Sequence, residues 1–218
     1  TLAALQNRGR YAMRLQNPVP VTIAGAPGSG MKGLASPERI AFNGAVIALP
    51  NGSITVDTLT KDGPRWSSRG HADKVPLTYL AQFSPALADN ARGDLTLGAA
   101  WSVDMRAPQA NGAAPSLAGN VRVFREAGDA IVGGDTPVPL GLRKLEASAE
   151  VVGSGLRVNL DFDGARTGVA KIEANAQMLN GRLERDSPLR MTANADMPSI
   201  AWLASLAGQP GLELDGAL

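Results

Sequence analysis

The sequence predicts an all-β protein: one extended antiparallel sheet, curled into an open trough with an apolar interior and carrying two short helices. Three observations predict it. Apolar and polar residues alternate over long stretches, the pattern of strands with one oily and one wet face. In the second half turn residues join successive stretches as a meander of hairpins and not as a series of crossovers, so the sheet is expected to be antiparallel. The 218 residues include 25 Gly and 15 Pro but only 4% aromatics, which suits many tight turns and an interior of Ala, Val and Leu.

The clearest stretch is residues 93–105, where Leu95, Leu97, Ala99, Trp101, Val103 and Met105 alternate with Asp94, Thr96, Gly98, Ala100, Ser102 and Asp104. Before it, Tyr11, Met13 and Leu15 alternate with Ala12, Arg14 and Gln16, and Val19, Val21 and Ile23 follow Pro18. A Gly, Ala, Pro and Ser loop fills residues 24–37. Ile40, Phe42 and Val46 to Leu49 read as the next strand, and Asn51-Gly52 as a hairpin turn into Ile54 and Val56. Residues 60–66 read as a turn and 66–72 as a strand. Pro76 stands where a first helical residue belongs, with Leu77, Leu80 and Ala81 three and four apart, so a helix of about two turns ending before Pro85 is expected. Leu117 to Arg125 continues the sheet after a loose loop.

The second half is a meander. Leu145, Ala147, Ala149 and Val151 share one face, then Leu156, Val158, Leu160 and Phe162, then Ala170, Ile172, Ala174, Ala176 and Met178, then Leu189, Met191, Ala193 and Ala195. Gly153-Ser154-Gly155, Asp163-Gly164 and Asn180-Gly181 read as the turns between them. A second helix is expected from Pro198, with Ile200, Leu203 and Leu206 on one side and Gly208 as its stop. Residues 72–81 align with 195–204, and each copy leads to a Leu-x-Leu strand, Leu95 and Leu97 in one, Leu212 and Leu214 in the other. This suggests one β segment over residues 1–218 with two repeat units, about 1–105 and 106–218. The pattern is running at both ends, as in a fragment of a longer protein.

Composition excludes several functions. Net charge is +1, the charged fraction is 19% and no basic block is present, so nucleic acid is not an expected partner. With no Cys and one His, neither a disulfide framework nor a thiolate or multi-His metal site can form. No acid/base pair or nucleophile constellation is present, so neither an enzyme nor a cofactor is expected. Gly28-Ser29-Gly30-Met31-Lys32-Gly33 matches the dinucleotide fingerprint, but no helix start follows it and no βαβ unit surrounds it, so a loop is the better reading. Asp161-Phe162-Asp163-Gly164 lacks the ligand spacing and terminal Glu of a calcium loop and reads as an exposed strand edge and a hairpin turn. His71, beside Arg69 and Asp73, reads as solvated, and the Asn51-Gly52-Ser53 sequon as a hairpin turn.

Roughly ten one-faced strands and only two short helices leave much apolar surface uncovered, at a cost of about 25 cal/mol per Å². The sheet can close on itself, or it can hold an apolar ligand. Inward positions are often Ala, which leaves room for the second. A strand of eight to ten residues spans about 26–33 Å, against about 30 Å for a bilayer's two-leaflet core, so an acyl chain fits. The expected groove lining is Leu95, Leu97, Trp101, Val103, Met105, Val121, Val123, Leu156, Val158, Leu160, Phe162, Ile172 and Met191. Leu77, Leu80, Ile200 and Leu203 are expected to cap it. For Trp101, core packing and lipid contact both remain open.

The helix-then-strand unit of residues 73–97, with Arg39-Ile-Ala-Phe-Asn-Gly, Asn51-Gly-Ser-Ile-Thr-Val-Asp and Ser68-Arg-Gly-His-Ala-Asp before it, resembles the C-terminal half of the TamB family. That family is the inner-membrane subunit of the translocation and assembly module of Gram-negative bacteria, within the AsmA-like group. The resemblance is one of pattern over most of the chain. It implies a β-taco and a periplasmic location, tethered to the inner membrane by a helix outside this segment. It also implies phospholipid as ligand, an outer-membrane barrel as partner, and a role in outer-membrane biogenesis. The alternatives are a scaffold that templates outer-membrane proteins at a strand edge, and an adhesin-type β module.

Overall fold

The computed structural model describes residues 1–9, 11–25, 37–108, 115–133, 137–179, 182–183 and 186–198. Its strands are β1 (Gln6–Asn7), β2 (Met13–Leu15), β3 (Val21–Ala24), β4 (Arg39–Leu49), β5 (Gly52–Asp62), β6 (Arg65–Pro76), β7 (Ala91–Gly93) and β8 (Thr96–Arg106). They continue as β9 (Ser116–Ala127), β10 (Ala130–Val132), β11 (Val138–Pro139), β12 (Leu142–Val152), β13 (Gly155–Gly164), β14 (Gly168–Gln177) and β15 (Leu189–Asp196). Between β6 and β7 lie helix α1 (Leu77–Leu80), a 3₁₀ turn (Ala81–Phe83) and helix α2 (Pro85–Asn90).

A 12-stranded sheet runs β1-β2-β4-β5-β6-β8-β9-β12-β13-β14-β15, with β3 also paired to β4. It is curled and antiparallel and does not close into a barrel, as the alternation predicts. The first strands join it too. β2 pairs Ala48 and Ile47 of β4, while β3 pairs Phe42 to Arg39 of the same strand. Two short strands separated by Pro18 and Pro20 thus share one edge, and proline is tolerated there because edge N–H groups need no ladder partner. The sheet also passes unbroken through residue 105, since β8 pairs with β9 along its whole length.

Two turns sit elsewhere than the sequence predicts. Leu49 pairs with Gly52, so the first hairpin loop is Pro50-Asn51 and Gly52 belongs to β5. The reason for glycine there is close approach. A Cβ on Gly52 would lie 2.5 Å from the Lys74 carbonyl oxygen and 2.6 Å from that of Asp73. Gly52→Ala is therefore expected to destabilise the fold by about 1–3 kcal/mol, the range for overpacking against backbone, as a shift in urea midpoint checks. Gly164 is likewise the last residue of β13, and residues 165–167 form the loop. Gly153-Ser154 is a turn as predicted. Leu179 and Arg182 pair across Asn180-Gly181, which lie outside the described residues.

The helices also differ from expectation. The first ends before Pro85, but Ser84 then caps a second helix whose first residue is Pro85. Proline reads as a stop and serves equally as a start, because its missing N–H falls where no intrahelical bond is made. The helix predicted from Pro198 lies outside the described residues.

A separate three-stranded sheet after the helices has no counterpart in the sequence prediction. It forms because β7 pairs with β10 and β10 with β11. With α1 and α2 it lies over one end of the strands. Leu77, Ala91, Leu95, Ala130, Val132, Leu140, Leu142, Phe162, Ala170 and Met197 form the largest buried cluster there. Beside it Leu49, Ala72, Val75 and Tyr79 form a second. Register shifts interrupt β6 between Ala72 and Val75, β8 between Thr96 and Leu97, and β12 between Leu142 and Lys144, and a fourth lies on β5 between Val56 and Thr58. Such bulges bend strands and sharpen their twist, and the first three lie at this capped end. Lys74, inside the first, has φ 51° and donates its backbone N–H to Glu126 Oε2 at 2.7 Å.

Candidate binding surface on the inner face

Strand register carries apolar positions across the whole sheet. One row runs Met191, Ala174, Val158, Ala149, Val121, Trp101, Gly70, Val56, Ala45 from β15 to β4. The next runs Ala193, Ile172, Leu160, Ala147, Val123, Ala99, Ala72, Ile54, Ile47 across the same strands. At roughly 4.8 Å per strand, each row is about 38 Å long. The charged residues at inner-face register positions, Lys61 and Arg125, sit at opposite strand ends. Lys61 Nζ lies 5.8 Å from the Trp66 ring centroid, and Arg125 donates to the Gly128 carbonyl at 3.0 Å. The rows between carry no charge.

The opposite face is polar. Arg65 meets Asp104 at 2.6 Å, Arg122 meets Glu146 at 2.9 Å, Arg143 meets Asp163 at 2.6 Å, and Lys144 meets Asp161. Arg122's hydrogen bonds hold the Glu146 carboxyl below its usual range. His71 lies 3.7 Å from both Asp57 and Asp73 on this face.

The inner face is covered at the cap and again at the β1 edge, where Leu15, Val19 and Ala45 are buried together, and is most open from β9 to β15. Along β13, Phe162 is 6% exposed and Val158 is 37% exposed, while Met191 on β15 is 65% exposed. The predicted lining therefore divides. Leu95 and Phe162 are buried in the cap cluster, and Leu97 packs against it, because α1 and the three-stranded sheet lie over these positions. They are wall beneath the cap, not open surface. Trp101, Val103, Val123, Leu156, Leu160 and Ile172 are half-buried, and Met105, Val121, Val158 and Met191 are exposed. Of the predicted cap residues, Leu77 is buried and Leu80 packs against the second cluster. Ile200 and Leu203 lie outside the described residues.

Trp101 has a posture that spacing could not reveal. It pairs with Gly70 on β6, and a Cβ at Gly70 would lie 2.5 Å from the indole Cζ2. The ring lies over the glycine, and its Nε1–H donates to Ser68 Oγ at 3.0 Å. A buried indole N–H wants a partner, and here it finds one within the wall. Phe124 does the same on the outer face, over Gly98.

A cavity of about 380 Å³ lies at the β1 end of the inner face, lined by Leu15, Val19, Phe42, Ile47, Val56 and others, all apolar but Thr1. A larger depression of about 710 Å³ lies at the uncapped ends of β13 and β14. Its lining mixes Glu150, Arg157 and Arg190 with Val152 and Leu156. The smaller cavity is the one whose chemistry matches the rows.

No family model, curated protein or solved structure matches this chain. Among the described residues no group of three or more His, Asp or Glu is placed to hold a metal ion, and no helix is long and apolar enough to cross a membrane. What the arrangement offers is apolar area, continuous and partly wet.

One residue that matters to the site gave no sequence signal. Asp129 accepts backbone N–H bonds from Ala130 at 2.9 Å, Gly141 at 3.0 Å and Leu142 at 2.8 Å. Its own N–H donates to Asp94 Oδ1 at 2.8 Å. It joins β8's approach, β10 and β12, and so fastens the cap to the sheet. At the other side Tyr11 stacks on Phe83 with ring centroids 4.5 Å apart, tying the first strands to the 3₁₀ turn.

Proposed function

We propose that the inner face is a groove that binds phospholipid acyl chains and carries them between the inner and outer membranes, in support of outer-membrane biogenesis. One observation carries this reading: two uncharged apolar rows, about 38 Å long from β15 to β4, stay partly exposed over β15 to β8 beside a cap that covers only one end of the strands. Exposing an acyl chain to water costs about 0.8 kcal/mol per CH₂, on the order of 12 kcal/mol for sixteen carbons. A surface that removes this cost needs no bond-making chemistry. The resemblance to the TamB family supplies the periplasmic setting, the inner-membrane tether and the outer-membrane barrel partner.

The test is site-specific photo-crosslinking in cells. Benzoylphenylalanine at Val121 and Val158, on the inner face, is expected to capture phospholipid. The same group at Asn120 and Asn159, one residue away and facing outward, is expected to capture none. Equal capture at both pairs, or none at the inner pair, rejects the groove.

A second reading rests on β15. Every residue of this strand is exposed, and among the described residues it carries no partner on its outer side. An open strand edge can template another strand, so an outer-membrane protein in assembly could dock there. Protein adducts at Thr192 and Asn194, with no lipid at Val121 or Val158, favour this reading over the groove.

A further inference from the structure

We infer that one acyl chain lies along the row Val121, Trp101, Gly70, Val56, crossing the face of the Trp101 indole, and that Gly70 is the residue that lets the indole act as its floor. This rests on the acyl-chain reading above and adds a path and a positioning residue to it.

The register places these four residues on adjacent strands β9, β8, β6 and β5. Val56 lines the apolar cavity at the β1 end, and Val121 opens onto the exposed half of the face. Three strand spacings separate them, about 14 Å. One leaflet of a bilayer is about 15 Å deep, so a chain of membrane length seated against Val56 reaches Val121 only by crossing Trp101. A large ring standing up from the middle of the row would bar that path. It lies down instead, because Gly70 has no Cβ to hold it off, and because Ser68, the neighbouring inner-face residue of the same strand, accepts the indole N–H. The ring's apolar face is what remains toward the trough.

Two measurements test this. In the first, fluorescence of the unmodified chain is compared with that of Trp101→Phe as stearic acid carrying a mid-chain doxyl group is added. The difference reports Trp101 alone and is expected to be quenched. In the second, palmitate and decanoate affinities are measured for Gly70→Ala, whose methyl group must displace the ring. Palmitate is expected to weaken about tenfold, as if roughly two buried methylenes were lost. Decanoate, short enough to sit on one side of Trp101, is expected to keep its affinity. The added methyl also meets the Thr55 carbonyl, so the double variant Gly70→Ala/Trp101→Ala separates ring from sheet: it is expected to bind palmitate as well as Trp101→Ala alone. An unquenched Trp101 in a chain that binds palmitate overturns the path whether or not Gly70→Ala folds. So does equal weakening of both fatty acids, or a double variant that binds palmitate more weakly than Trp101→Ala alone. If palmitate does not bind the unmodified chain at all, the acyl-chain reading itself falls.

Discussion

Replacing Val121 and Val158 together with glutamate is expected to abolish phospholipid capture while changing folding stability by less than about 1 kcal/mol, the usual range for exposed positions. The two effects separate because the residues are partly wet in the free protein, at 40% and 37% exposure. A carboxylate there keeps enough water to remain charged. An acyl chain laid over it removes that water without offering a partner, which costs several kcal/mol per charge. Binding should therefore fall by at least about a hundredfold. Lipid co-purifying with the variant, counted by native mass spectrometry, and its urea midpoint provide the two readings. Glutamate at Asn120 and Asn159, on the polar face, is the control and should leave both unchanged. Lipid retained by the inner-face variant would mean that the rows are not the binding surface.

The second large effect concerns the cap. Asp129→Ala is expected to cost about 3 kcal/mol, since three half-buried backbone N–H groups lose a charged acceptor. The same residue predicts a pH dependence. Burial pushes the Asp129 carboxyl up, but the N–H donors of Leu142, Gly141 and Ala130, with the charge of Arg125, outweigh it and hold the carboxyl below its usual 3.8. A carboxyl lowered in the folded state stabilises fully above its unfolded pKa, and this is lost as pH falls through the folded value. Unfolding free energy should thus drop below about pH 4, and part of that slope should vanish in Asp129→Ala. If the variant unfolds at the same urea concentration as the parent at pH 7, Asp129 is not the cap's fastening.

The sheet was legible because alternation is a local signal. Leu145 to Val151, Leu156 to Phe162 and Ala170 to Ala176 announce their faces within a few residues, and register then aligns those faces without exception. Turn positions were less legible. Gly52 resembles half of an Asn-Gly turn, yet its role is to admit the Lys74 carbonyl from a strand more than twenty residues on. Pro85 reads as an end and proves to be a beginning. The three-stranded sheet was invisible because β7, β10 and β11 are too short to show a period, and they are held by Asp129, a residue of no motif. Of the site itself, the sequence supplied which side chains face inward. It could not supply which of them the cap covers, as it does Leu95 and Phe162. Nor could it supply the posture of Trp101, which depends on a glycine and a serine of another strand.

The order of strands in the large sheet bears on how the protein is made. From β4 onward, leaving aside the small sheet, each strand lies beside the one that precedes it in the chain. A polypeptide emerging from its N-terminus can therefore lay down this sheet like courses of brick. Each new strand meets a finished edge, and none has to wait for a partner still to be synthesised. Four of these pairings, β4 with β5, β5 with β6, β12 with β13 and β13 with β14, close across loops of two or three residues, which favours rapid folding. They also shorten the time during which apolar strands stand exposed to aggregation. The apolar wall of the sheet is therefore never left without its neighbour for long.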